Sequence, residues 1–279
     1  MAILIGGIGS SHAPSIVHAF DNRLQDQPIW SPLFKAFEPL RQWLQTRQVD
    51  TLIVVYNDHL HRFQLDAYPT FALGVAPSMP VADEGKGPRP FPDVPGHPEL
   101  AWHLAQSLVA DEFDLTICHE MALDHGVMTV LPLLTDTPWP CRVIPLAVNV
   151  LQEPLPTPRR CARLGEAIGR ALRSHAGGER VVVVATGGLS HQLHGPDFGF
   201  TNPDWDNRFM DLLEARPEVL AQASLQDYMD RGGTESVEMM MWLSMRMALG
   251  PAEKLQRIQR FYWAPMLTGY GVLAFEIQP

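Results

Sequence analysis

Cysteine is scarce in this chain. Its 279 residues include three, Cys118, Cys141 and Cys161, scattered and without a Cys-x-x-Cys pair. That argues against a disulfide framework and a thiolate zinc site. Basic residues are few as well: Lys and Arg total 21 against 31 Asp and Glu, a formal charge of -10. A nucleic-acid partner needs a basic face to neutralise phosphates, and an anionic membrane surface makes the same demand, so neither fits this balance. No apolar run nears the roughly 20 residues of a membrane helix. The start, Met1 to Gly9, lacks the basic region of a signal peptide, so a cytoplasmic location is expected. Familiar catalytic signatures are missing too. There is no Gly-x-Ser-x-Gly elbow, no Walker lysine behind Gly6-Gly-Ile-Gly9, and no zincin spacing, since His119 and His125 stand six apart.

What is present is a globular pattern: 46% hydrophobic and 19% charged residues. Short β-branched runs alternate with helix-patterned stretches. Strands are expected at 2–8, 51–56, 113–117, 142–150, 180–185 and 271–277, and helices at 32–47, 98–110, 159–174, 204–215 and 234–248. The runs TLIVVY and RVVVVA are continuously apolar, as in strands buried on both faces. The fold class expected is α/β, a single domain over 1–279 with a central mixed, largely parallel sheet flanked by helices in an α/β/α sandwich. Twenty-five prolines crowd the connections, most densely at 77–98, which reads as an ordered surface loop.

Eleven histidines stand out against 21 Lys and Arg, and their position informs more than their number. Three expected strands end in small or polar turns that deliver a histidine: Gly9-Ser-Ser-His12, Asn57-Asp-His59 and Gly187-Gly-Leu-Ser-His191. In open α/β sheets, ligand sites form beyond the carboxyl ends of strands, where such loops converge. Neutral imidazoles gathered there suit iron, zinc, copper or nickel. Four carboxylates could complete a ligand set: Asp58, Asp124, Glu235 and Glu238. Glu235 is accounted for by the positive end of its helix. Glu238 opens the most apolar stretch of that helix, where a buried carboxylate needs a partner and a metal would serve.

The strings Ser10-Ser-His12-Ala-Pro14, Tyr56-Asn-Asp-His59, Ala82-Asp-Glu-Gly-Lys-Gly-Pro-Arg-Pro90, Leu123-Asp-His-Gly126, Thr186-Gly-Gly-Leu-Ser-His191-Gln192 and Glu238-Met-Met-Met-Trp242 occur in this order. Together they resemble the class III extradiol catechol dioxygenases (the LigB-type superfamily), most closely the catalytic β subunits of protocatechuate 4,5-dioxygenases. The resemblance implies a mononuclear non-haem Fe(II) held by His12, His59 and Glu238. It maps the acid/base histidine to His191, a second pocket histidine to His125, and a polar residue on the distal side of the pocket to Asn57. The implied reaction is ring opening of a catecholic acid by O₂ beside, rather than between, the hydroxyls, giving a hydroxymuconate semialdehyde-type product.

The chain departs from the pattern near its end. Protocatechuate enzymes place a small polar residue there against the substrate carboxylate, whereas this chain reads Pro265-Met-Leu-Thr268-Gly-Tyr270-Gly271, with Thr268 the best match. Gallate and 3-O-methylgallate therefore stand beside protocatechuate as candidate substrates. After Pro279 there is no room for the small helical lid of the family, so a separate α subunit is expected, or a dimer or higher assembly that closes its own pocket. Two other classes remain: a metal-dependent hydrolase on a similar histidine-rich sheet edge, and a binding protein that has lost turnover.

Overall fold

The computed structural model describes residues 1–278. Ten strands are formed: β1 (Ile3–Ser10), β2 (Thr51–Tyr56), β3 (Phe71–Gly74), β4 (Ser78–Met79), β5 (Val94–Pro95), β6 (Thr116–Cys118), β7 (Arg142–Val148), β8 (Arg180–Thr186), β9 (Leu255–Trp263) and β10 (Tyr270–Ile277). Eight of them make one sheet in the order β6-β3-β7-β2-β8-β1-β10-β9, while β4 and β5 pair separately. The four central strands, β7, β2, β8 and β1, run parallel. β3 and β10 are antiparallel to them, so the sheet is mixed around a parallel centre.

Alternation along the central strands explains the layers. Ile53 and Val55 of β2, with Val181 and Val183 of β8, face one apolar cluster; Leu52 and Val54, with Val182 and Val184, face the other. Helices α1 (Pro14–Asp21), α2 (Ser31–Thr46), α4 (His125–Met128) and α5 (Leu131–Leu134) cover the second face. Against the first lie α3 (Pro98–Ala110), α6 (Pro158–Ser174), α7 (Pro203–Ala215), α8 (Pro217–Gln222), α9 (Leu225–Gly232) and α10 (Met239–Ala248). The result is an α/β/α sandwich.

Glycines set how deeply α10 sits. A Cβ on Gly9 of β1 would run into the Trp242 ring, and one on Gly165 of α6 would meet the Ser244 carbonyl. These close approaches seat α10 against strand and helix, and so fix where Glu238, just before it, enters the sheet edge.

The structure departs from the sequence expectations locally. The helix expected at 234–248 begins as a 3₁₀ turn, Thr234–Glu238. The strand expected at 113–117 is displaced to Thr116–Cys118, because the amide of Phe113 closes the end of α3 by donating to the Leu108 carbonyl. β3 is four residues long, and β9 is an edge strand whose half-exposed, polar-rich face hides its period. The loop at 77–98 is ordered around β4 and β5, with Met79 and Val94 fully buried.

Candidate metal centre and active site

The carboxyl ends of β1, β2 and β8 release His12, Asn57 to His59, and Gly187 to His191 along one edge of the sheet. The antiparallel β10 brings Thr268 to the same edge, two residues before its first residue. Glu238 arrives from the 3₁₀ turn ahead of α10. Its Oε2 lies 3.4 Å from His12 Nε2 and 3.9 Å from His191 Nε2, and its Oε1 lies 3.9 Å from His59 Nε2. His12, His59 and Glu238 offer donor atoms that all lie within 4.8 Å of one another.

Hydrogen bonds fix which nitrogen of each ring is available. The Thr186 hydroxyl donates to the Gly126 carbonyl at 2.6 Å, so its oxygen is left to accept from His12 Nδ1–H at 3.0 Å. His12 Nε2 is then a lone pair aimed at a carboxylate oxygen. Burial pushes the His12 pKa below its ordinary value, although Glu238 pulls the other way. Two acceptors facing each other at 3.4 Å need a cation between them, and a nitrogen and oxygen donor set of this kind suits a divalent metal. His59 follows the same rule: its Nδ1–H donates to Asp124 Oδ2 at 2.9 Å, directing Nε2 to Glu238. Burial depresses the His59 pKa, but hydrogen bonds to Asp124 and Glu238 outweigh it and carry the group up to about 10. Asp124 is held down to about 2, against its own burial, by the same bond to His59. Glu238 also falls well below the carboxylate range, since burial is overcome by the surrounding histidines. A divalent cation would take the place of the His59 proton.

His191 belongs to the same pocket with a different partner. Its Nδ1–H donates to the Leu189 carbonyl at 2.8 Å, which leaves Nε2 as the basic nitrogen toward the site. His125, first residue of α4, stacks on His59 with centroids 3.8 Å apart and binds Glu84 Oε2 through Nδ1 at 2.7 Å. These side chains line a cavity of about 590 Å³ together with Ser15, Leu193, His194, Met266, Leu267, Thr268 and Tyr270. Asn57 is placed differently from the distal wall expected for it. It is fully buried and does not line the cavity; its amide Nδ2 lies 3.0 Å from His59 Nε2 and donates to Glu238 Oε1 at 3.3 Å.

The other carboxylates sort themselves. Asp58 accepts from the backbone of His61, Arg62 and Phe63, so it shapes the turn after β2. Glu235 pairs with His194 at 2.8 Å. Sequence reasoning gave no role to Thr186, Glu84 or Asp206, and it weighed Asp124 only as a ligand. Asp124 had a local signal: it caps α4, accepting from Gly126 N at 2.9 Å, and precedes a histidine.

Residues 6–272 match the family described as the catalytic LigB subunit of aromatic ring-opening dioxygenase. A gallate dioxygenase from Pseudomonas putida is 44% identical over 198 residues, covering 70% of this chain and 58% of that protein. A 2,3-dihydroxyphenylpropionate/2,3-dihydroxicinnamic acid 1,2-dioxygenase from Cupriavidus necator is 35% identical over 61% of this chain and 53% of its own length. The aligned part thus spans little more than half of these two relatives. A protein of the latter name from Cupriavidus pinatubonensis is 28% identical over 81% of this chain and 85% of its own length. Among solved structures, an uncharacterized protein from Escherichia coli K12 shares the fold with a TM-score of 0.58 at 16% identity, covering 98% of this chain and 99% of that one. With a match across nearly its whole length, the chain belongs to the family of catalytic LigB subunits of aromatic ring-opening dioxygenases.

Proposed function

We propose that residues 1–279 form one catalytic domain that binds Fe(II) through His12, His59 and Glu238 and opens the ring of a catecholic acid with O₂ in an extradiol manner. The observation that carries this reading is the convergence of two imidazole Nε2 atoms and one carboxylate, each oriented by a buried partner, at the edge of a sheet in a chain of this family. Fe(II), when bound, would supply Lewis acidity to the catechol oxygens and a path for electrons from ring to O₂. The protein's own groups then handle protons and position. His191 Nε2 takes the proton of a catechol hydroxyl and returns one later, its Nδ1 being committed to Leu189. His125, with Nδ1 held by Glu84, turns Nε2 to substrate or oxygen. Thr268 contacts the substrate from the wall beside His191, to which it is bridged. Asn57 steadies the ligand set from behind.

Protocatechuate and gallate are the substrates to test first, and the likeness to a gallate dioxygenase favours gallate. A cover over the pocket is supported by exposed apolar side chains near it, Leu151, Leu193, Met266 and Leu267, with Phe198 and Phe200 on the following loop. We propose that a small helical α subunit, or a second copy in a dimer or higher assembly, supplies it. Three free, buried cysteines support a reducing, cytoplasmic location; no helix of the described residues is long and apolar enough to cross a membrane.

The test is anaerobic loading with Fe(II), addition of gallate or protocatechuate, and admission of air. Oxygen uptake with a coloured ring-opened product is expected, and its absence for both acids, with and without a partner subunit, would refute the reading. His12→Ala and Glu238→Ala should lose the metal, whereas His191→Ala should keep it and turn over about 10²–10⁴ times more slowly.

A further inference from the structure

Asp206 is fully buried in the first turn of α7, behind the wall of the pocket and outside the ligand set. Its carboxylate is spent on the segment that carries His191. Oδ1 accepts from the Ser190 amide at 2.8 Å, and Oδ2 accepts from the Ser190 hydroxyl at 2.6 Å and from the Tyr262 hydroxyl at 2.9 Å. The direction of the Ser190 hydroxyl bond is fixed by its neighbour. Ser190 Oγ already accepts from the Asn202 amide at 2.7 Å, so its own proton must go to Asp206. Two hydroxyls and an amide directed at one carboxyl are all accepted by the anion. Burial raises its pKa, opposed by the bonds from Ser190 and Tyr262 and by His191. An anion so placed among neutral donors is costly unless the geometry it enforces is useful.

That geometry is the shape of the loop between β8 and α7. Ser190 also exchanges backbone bonds with the β9–β10 connection, through Gly269 N to its carbonyl at 2.9 Å, while Leu189 N donates to Gly269 O at 3.1 Å. A Cβ at Gly269 would collide with Asp206 Oδ2, so the connection is packed directly on the carboxylate. Asp206 therefore ties together α7, β9, the His191 loop and the Thr268 turn. We propose that Asp206 is a positioning residue, which holds Ser190, and through it His191 and Thr268, at the height where His191 Nε2 meets a catechol hydroxyl on the metal. The proposal rests on the dioxygenase reading given above, and none of the residues involved is a metal ligand.

The test uses the full chain as Asp206→Asn and Tyr262→Phe. Asparagine keeps the shape but presents at most one acceptor oxygen to three donors. The Fe(II)-loaded Asp206→Asn protein should keep its metal and its anaerobic affinity for the catecholic acid, while kcat falls about 100-fold, as when a catalytic group is displaced. Tyr262→Phe removes one donor and should show the same split at roughly threefold, a loss in proportion to one weakened bond. Amide exchange of the metal-free proteins gives a second readout: residues 188–191 and 268–270 should exchange at least about tenfold faster in Asp206→Asn, with the metal-binding turn after β2 unchanged. Unchanged kcat in both variants, a kcat loss matched by metal loss, or unaltered exchange in those two segments would each overturn the proposal. If Asp206→Asn does not accumulate as folded protein, Tyr262→Phe decides by the same two readouts. A parent protein without ring-opening activity but with the predicted exchange pattern would sink the dioxygenase reading and leave the positioning role standing.

Discussion

Thr186→Val gives the sharpest test of how the metal site is built. Valine matches threonine in shape, so packing is nearly preserved, but two buried groups lose their partner at once: His12 Nδ1–H and the Gly126 carbonyl. Each unpaired group costs about 1–3 kcal/mol, so the metal-free protein should lose about 2–6 kcal/mol of stability. At about 2–4 °C per kcal/mol for a chain of this size, the melting temperature should drop by at least about 4 °C. The larger consequence concerns the ligand. Without the hydroxyl, nothing holds the proton on Nδ1, and the ring can carry it on Nε2, the position the metal needs bare. Loss of such an orienting partner lowers metal affinity about 10–100-fold. Competition with a chelator for Fe(II), or for Co(II) as a spectroscopic substitute, measures the shift. Thr186→Ser retains both bonds and should behave like the parent. If Thr186→Val melts lower yet binds the metal as tightly as the parent, the tautomer argument is wrong and Thr186 only fills space.

Two further outcomes follow from features far from the metal. Gly165→Ala should destabilise the protein by about 1–3 kcal/mol, as overpacking does, because its Cβ must displace the Ser244 carbonyl of α10; an unchanged denaturation midpoint would refute the tight crossing of α6 and α10. At the opposite edge of the sheet, burial, helped by Arg142, holds the His97 pKa below its ordinary value of 6.5. The folded state thus prefers the neutral ring, so this contribution is complete above pH 6.5 and is lost as pH falls through that value. His97→Asn keeps an acceptor at the start of α3 and removes the titration. The slope of melting temperature against pH between about 6.5 and 5 should flatten, and an identical slope would count against the assignment.

The sequence was most legible where chemistry is local. TLIVVY and RVVVVA announce strands buried on both faces because each successive side chain meets a helical layer, and β2 and β8 are those strands. β9 was missed because its residues are only partly buried and do not alternate, with Gln256, Arg257, Gln259 and Arg260 masking the apolar positions. The same divide runs through the site. His12, His59 and His191 could be read from their place just after strands, and Glu238 from a carboxylate entering an apolar helix. Their supports could not. Thr186 is 174 residues from His12 and Glu84 is 41 from His125, contacts that exist only once the sheet is assembled. Asp206 looks in sequence like an ordinary acidic residue in the first turn of a helix, where the helix dipole alone would account for it.

Charge arithmetic within the cavity bears on how a chain of -10 would take the anionic substrate proposed above. The residues lining it include no lysine or arginine. Its acidic groups are already matched: Glu235 with His194, and Glu84, behind His125, with that ring, while Asp124 serves His59. Glu238 faces several imidazoles at once and accepts from the Gly188 and Asn57 amides. A divalent ion bound there would displace the His59 proton and so raise the local charge by about one unit, from about one negative charge to about neutral, while offering the anion a direct ligand position. Capture of a catecholate should then depend on the metal rather than on the surface field, which repels anions and is screened beyond about 8–10 Å at moderate salt. Anaerobic binding of the acid should accordingly vanish when the metal is removed, yet change little when ionic strength is raised. A strong salt dependence in the metal-loaded protein would mean that surface cations, such as Lys86 beside the neighbouring cavity, do the recruiting instead.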